Sequence, residues 1–224
     1  MAQQPPNLKA ERELFAMGAQ LVLACDEVGR GALAGPVSVG MVAITPDVRR
    51  MPAGLRDSKL LAEPKREALA PRAAAWVAGW AVGEASAAEI DEHGIMACLG
   101  LAGRRAWDQL VTMIEVAHGA PLLLDGNYDW LSTAIEHRAR VVTRIKADRD
   151  CASVSAASVL AKVHRDRGMR ALQARHPVYG WDENKGYSTA AHFAALREHG
   201  PTEFHRHTWL HGKAAPTQVA LFDA

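Results

Sequence analysis

Three short acidic segments carry most of the chemistry available to this chain. Asp26-Glu27 follows the apolar run Gln20–Cys25, Asp125 follows Pro121–Leu124, and Asp148 and Asp150 follow the β-branched stretch Arg140–Ile145. Ligands of sheet-based domains collect where strands end and loops converge. Carboxylates gathered there raise one another's pKa and all stay ionised only with a cation among them. Their hard oxygens suit Mg²⁺ or Mn²⁺. Two such ions, about 3.5–4 Å apart, can activate a water and stabilise the leaving oxygen in phosphodiester hydrolysis. Cys25, Cys98 and Cys151 have no metal-ligand spacing, and neither do His164, His205, His207 and His211, which read as surface or capping groups. A strand-terminal Asp taken singly is more often a turn cap than a ligand. Spacing does not choose between Asp148 and Asp150. The pair Asp148-x-Asp150 also admits an Asp-x-Asp phosphatase, and a non-catalytic nucleic-acid-binding module is a third reading.

The elements that must position these acids are legible from periodicity. Gln20–Cys25 and Val37–Ile44 read as buried strands joined by a glycine-rich turn, with Trp76–Glu84 a third strand. Pro121–Leu124 and Arg140–Ile145 read as two more. Helices are expected at Ala10–Met17, from Glu63 to about Ala75 (with an irregularity at Pro71), within Ser86–Val116, over Ala152–Arg175 and over Thr189–Glu198. Strands first, then strands separated by helices, then mostly helices is the order of an α/β domain with a mixed sheet and a helical tail.

At 224 residues the chain fits one full-sized domain with a proper core. Residues 1–150 hold 17 Lys and Arg against 19 Asp and Glu, whereas residues 151–224 hold 9 against 6. An acidic centre with a basic rim suits a metal site that grips a phosphate chain, although ordinary charge fluctuation explains these counts equally well. The longest run free of Asp, Glu, Lys and Arg is Gly31–Pro46, too short and too interrupted by proline to span a membrane. The N-terminus lacks the apolar stretch of a secretory signal, and three scattered cysteines fit a reducing compartment, so a cytoplasmic protein is expected.

Asp26-Glu27-Val28-Gly29-Arg30-Gly31 resembles the glycine-flanked acidic motif of the ribonuclease HII family. Asp57-Ser58-Lys59-Leu60, Leu124-Asp125-Gly126-Asn127 and Lys146-Ala147-Asp148 resemble its next blocks, followed by Ser155–Val163 with Arg165-Asp166. Lys185-Gly186-Tyr187-Ser188-Thr189 and the segment from His199 to Arg206 resemble its C-terminal blocks, so the likeness runs from about residue 20 to 210 in family order. The resemblance implies a ribonuclease H-like fold: a mixed five-stranded sheet flanked by helices, with a helical C-terminal region. In that scheme residues 1–18 are a lead-in, 19–212 the catalytic domain with its helical part from about 176, and 213–224 a tail. With only this lead-in before the first strand, the extra N-terminal domain of the sister ribonuclease HIII is not expected.

The resemblance further implies that Asp26, Glu27, Asp125 and Asp148 hold two Mn²⁺ or Mg²⁺ ions, choosing Asp148 over Asp150. It assigns Gly29, Arg30 and Gly31 to the ribose 2′-hydroxyl and scissile phosphate, Ser58 and Lys59 to phosphate, and Tyr187 to the sugar of the deoxynucleotide that follows. Lys162, Arg165 and Lys185 are further phosphate-contact candidates. The expected substrates are RNA–DNA hybrids and duplex DNA containing ribonucleotides, cut on the 5′ side of the ribonucleotide during ribonucleotide repair and RNA-primer removal. Ala147 stands where the family usually has Gly, and little effect is expected because Ala fits ordinary φ/ψ. Leu60-Leu61 leaves out a second Lys common in the family. At the end of the chain, Gln218-Val219-Ala220-Leu221-Phe222 resembles the peptide by which bacterial replication enzymes dock on the DNA sliding clamp, with Gln218, Leu221 and Phe222 as its contacts.

Overall fold

The computed structural model of the chain describes residues 4–210. Five strands form one mixed sheet in the order β3-β2-β1-β4-β5: β1 (Val22–Val28), β2 (Val37–Ile44), β3 (Gly79–Ala85), β4 (Ala120–Asp125) and β5 (Ala139–Arg144). β2 runs antiparallel to both β1 and β3, while β4 lies parallel to both β1 and β5. The ribonuclease H-like sheet expected from the sequence is therefore present.

Strand alternation divides the core. Val22 and Ala24 of β1 join Val42 and Ile44 of β2 on one face, while Leu23 and Cys25 join Val39 and Met41 on the other. The first face is covered by α6 (Ala152–Gln173) and α2 (Glu63–Trp76), the second by α4 (Ile95–Leu110). Contact with α6 is close: a Cβ at Gly40 would stand 2.5 Å from the Ala157 carbonyl oxygen. Such small residues at the crossing let the helix backbone lie on the strand. Shorter helices complete the fold: α1 (Lys9–Ala16), α3 (Ala87–His93), α5 (Ala147–Asp150), α7 (Trp181–Asn184) and α8 (Ala190–His199). α3 starts on a capping box in which Ser86 and Glu89 serve each other's backbone N–H groups.

The C-terminal region builds its own core, in which Tyr179, Trp181, Ala195, Leu196 and Leu210 pack on Met169 of α6 and on Leu33 and Ala34 of the β1–β2 connection. That connection, expected as a simple turn, is instead an excursion clasped by the C-terminal region. Three local expectations also change. β1 runs through Asp26 and Glu27, which pair with Gly40 and Val39, so the acids lie within the strand rather than after it. Trp76 ends α2 instead of opening β3, with its indole N–H donated to the Arg49 carbonyl at 2.8 Å. Pro71 sits inside α2 without ending it. Pro71 itself is exposed.

Candidate active site

The acids meet at one end of the central strands. Asp26 is buried (2 % exposed) and Glu27 half-buried at the end of β1. Asp125 closes the parallel neighbour β4, and its Oδ1 accepts the Asp148 backbone N–H at 3.2 Å. Asp148, 5 % exposed, lies in α5, the short turn of helix that carries the chain from β5 into α6. The left-handed residue before it is Lys146 (φ 62°) and not Ala147, whose backbone is ordinary. The Ala147 side chain is fully buried, so the methyl group is accommodated as expected.

Electrostatics show the strain in this arrangement. Burial pushes the Asp26 carboxyl well up, and Glu27 beside it adds to the shift against the opposing pull of Lys59. Glu27 is raised by burial, with Arg30 opposing and Asp125 reinforcing. Asp125 is raised by burial and by Asp148, and Asp148 by burial and by Asp57. The counter-charge is Lys59, whose ammonium stands 3.5 Å from Asp148 Oδ2. Burial by itself would lower the Lys59 pKa, but Asp26, Asp57, Asp148 and Glu27 outweigh it and hold it above its usual value. Among the described residues no three acidic, His or Cys side chains converge as ligands on one point. The donor set nevertheless fits a hard divalent cation: all donors are carboxylate oxygens, and burial, with neighbouring carboxylates adding to it, holds each above its ordinary pKa.

Asp57 was quoted in the sequence only as part of a loop, and the structure puts it in the cluster. It is fully buried, one oxygen capping the Lys59 N–H at 2.9 Å. The other oxygen has no hydrogen-bond donor among the described residues, and Arg149 lies 3.7 Å away. Sequence offered one signal, an acid between turn residues, and that signal does not separate a cap from a charge partner.

Beside the acids, a cleft of about 330 Å³ is lined by Glu27, Gly29, Arg30, Gly31, Ser58, Lys59, Lys162 and Tyr187. Arg30 is exposed and only 3.9 Å from Glu27. Gly29 has φ +83° and Gly31 an open approach. Tyr187 is half-buried, with the Lys162 ammonium 5.7 Å and the Arg165 guanidinium 5.5 Å from its ring centre. A larger groove of about 870 Å³ begins at Gly31 and continues past Ser188, Phe193, Arg197 and Trp209. The cations expected to touch phosphate fare unequally. Lys59 is exposed, whereas Lys162 is paired with Asp166 at 2.6 Å and Lys185 with Glu63 at 3.1 Å. Arg165 is 1 % exposed and committed to backbone carbonyls. Ser58 lines the cleft but is itself buried, its hydroxyl accepting from Ser158 at 2.9 Å. His205, expected at the surface, is fully buried against His192. Gln218, Leu221 and Phe222, like His211, lie outside the described residues.

A mixed five-stranded sheet with acids at the ends of β1 and β4 and in the helix after β5 defines a ribonuclease H-like nuclease. The structure superposes on the ribonuclease H2 from Pyrococcus horikoshii with a TM-score of 0.66 at 25 % identity, covering 84 % of this chain and 93 % of that one. It matches the ribonuclease HII of the PCNA complex from Archaeoglobus fulgidus with a TM-score of 0.68 at 25 % identity over 84 % of this chain and 95 % of that one. The family model for ribonuclease HII matches residues 23–211. Ribonuclease HII of Streptomyces avermitilis is 44 % identical over 217 residues, 96 % of this chain and 88 % of the relative. The chain belongs to the ribonuclease HII family.

Proposed function

We propose that the protein is an endonuclease that cuts the phosphodiester 5′ of a ribonucleotide, in duplex DNA containing ribonucleotides and in RNA–DNA hybrids. The observation that carries this reading is a single cleft that brings Glu27, the Gly29-Arg30-Gly31 turn, Lys59 and Tyr187 together beside the buried acids. Asp26, Glu27, Asp125 and Asp148 would hold two divalent ions, Mg²⁺ or Mn²⁺. When bound, such ions supply an activated water and stabilise the departing oxygen. The remaining work belongs to the chain. The open Gly31 backbone meets the ribose 2′-hydroxyl, which both donates and accepts hydrogen bonds. Arg30 and the exposed Lys59 ammonium neutralise the scissile phosphate. Tyr187 lies on the sugar of the next deoxynucleotide and leaves no room for a hydroxyl there. The P–O3′ bond breaks, the upstream 3′-oxygen takes a proton, and the ribonucleotide keeps a 5′-phosphate. Such an enzyme serves ribonucleotide excision and RNA-primer removal. The solved complex of PCNA with an archaeal ribonuclease HII supports a second contact, between Gln218, Leu221 and Phe222 and a DNA sliding clamp.

The test is a duplex carrying one ribonucleotide, incubated with Mg²⁺ or Mn²⁺ and, separately, with chelator. A nick 5′ of the ribonucleotide that disappears with chelator and in Asp26→Asn is expected. Cleavage of plain DNA, or no cleavage with either metal, would refute the reading.

A further inference from the structure

Two arginines outside the acid cluster are fully buried, Arg165 on α6 (1 % exposed) and Arg206 near the end of the described chain (0 %). Burying a guanidinium is costly, and a carboxylate partner is the usual compensation. Among the described residues, all the acceptors are main-chain carbonyls instead. Arg165 donates to Pro36, Lys185 and Ala34 at 2.8, 2.9 and 3.0 Å. Arg206 donates to Gly29 and Arg30 at 2.7 and 2.8 Å, and through two nitrogens to Gly35 at 3.3 and 3.1 Å. Burial, with the Arg165 charge nearby, lowers the Arg206 pKa to about 9.

These acceptors lie in two places only, the excursion from Gly29 to Pro36 and the segment just before Tyr187. Carbonyls of a buried excursion cannot be served by a strand ladder, so donors must come from elsewhere. A guanidinium presents five donors in a planar fork and can serve several carbonyls at once, which a lysine ammonium cannot do with the same geometry. Main-chain bonds join the same two places. The Leu33 and Ala34 N–H groups both donate to Gly186, at 2.8 and 3.2 Å, and the Arg206 N–H donates to Leu33 at 2.8 Å. Both flanking glycines are required by the packing: a Cβ at Gly29 would lie 2.2 Å from Arg165 Nε, and one at Gly186 2.4 Å from the Ala34 oxygen. Gly29 therefore makes room for an arginine, whereas Gly31 is open toward a ligand. The Arg165 guanidinium also stands 5.5 Å from the centre of the Tyr187 ring.

We propose that Arg165 and Arg206 are positioning residues that lock the Gly29-Arg30-Gly31 turn and Tyr187 into one rigid unit, so that the ribose and the sugar after it are read from a single frame. The proposal rests on the substrate reading given above. The arginines touch no substrate; they act by fixing the distance between the two groups that do. A lysine in place of Arg165 keeps the charge but loses the fork, so the turn and the tyrosine drift relative to each other.

The experiment compares wild type, Arg165→Lys, Arg206→Lys, Tyr187→Ala and the Arg165→Lys/Tyr187→Ala double variant. Cleavage rates are measured on a duplex with an RNA-to-DNA junction and on a continuous RNA–DNA hybrid, and melting curves select folded variants. Small misplacements of reacting groups cost up to about 100-fold, so a ~10-fold or greater loss of junction preference is expected in each lysine variant. The double variant should lose no more preference than Tyr187→Ala alone. Equal slowing on both substrates, or additive losses in the double variant, overturns the proposal. If neither lysine variant folds, hydrogen exchange on the wild type decides: the Leu33, Ala34, Gly35 and Arg206 amides should open together. Exchange of the three turn amides faster than Arg206 by more than about tenfold overturns it. A wild type without junction preference removes the substrate reading and this proposal together. A preference lost in Tyr187→Ala but kept in both lysine variants removes this proposal alone.

Discussion

A buried histidine pair should cost this protein stability as pH falls. His192 Nδ1 lies 3.0 Å from the Tyr187 carbonyl, its Nε2 accepts the Trp181 indole N–H at 3.2 Å, and His205 Nε2 stands 3.1 Å from that same nitrogen. His205 Nδ1 accepts the Thr202 N–H at 2.9 Å. Both rings can be neutral, His192 protonated on Nδ1 and His205 on Nε2, with the Trp181 and His205 N–H groups sharing the one lone pair of His192 Nε2. Adding a proton to either ring removes an acceptor. Burial, with His192 and His207 nearby, lowers the His205 pKa from 6.5 to about 3, and burial lowers His192 as well. A histidine with a depressed folded pKa destabilises as pH falls, because the unfolded chain takes the proton first. The loss is absent above pH 6.5, grows as pH drops and ends near the folded value, about 3 for His205. At pH 5.5 one such histidine has cost about 1.4 kcal/mol, one pH unit below its unfolded pKa. The raised carboxylates and His164, which hydrogen-bonding to Glu84 lifts, act in the opposite sense. Comparison with His205→Gln cancels them. Urea unfolding of both proteins at pH 7.5 and 5.5 should show the stability gap shifting by about 1.4 kcal/mol in favour of Gln at the lower pH. Parallel profiles, within about 0.3 kcal/mol, would refute the neutral network.

Two further outcomes follow from the site. Asp26→Asn should raise the melting temperature of metal-free protein while abolishing cleavage, since it removes a buried charge whose pKa is pushed up by burial and Glu27; a lower melting temperature would mean the carboxylate is stabilising. Deleting residues 217–224 should leave nicking of a free duplex intact and weaken binding to the cognate sliding clamp by ~10-fold or more, the loss expected on removing two apolar anchors; unchanged affinity rules out the tail as the docking peptide.

Much of the fold was written locally. Val37–Ile44 announces itself as a strand because Val37, Val39, Val42 and Ile44 recur through a segment free of charge, and the structure gives the same bounds. The acids could be named because their type, order and flanking glycines form a pattern that survives without coordinates. What escaped was whatever depends on distant partners. Asp57 looks like a turn residue until Asp148 is brought beside it, and His205 looks exposed until His192 meets it. Arg165 has the composition of a phosphate-binding cation.

By itself, then, the sequence determined the strands and the main helices, because hydrophobic period is a property of the chain's neighbourhood, while Asp26, Glu27, Asp125 and Asp148 were singled out through the family resemblance. Only the tertiary structure decided which cations stay exposed at the cleft and which are consumed inside. The carbonyls that capture Arg165 and Arg206 lie between 20 and 177 residues away along the chain. A charge is free or committed according to what the fold places within hydrogen-bond reach, and at such separations no local pattern records it.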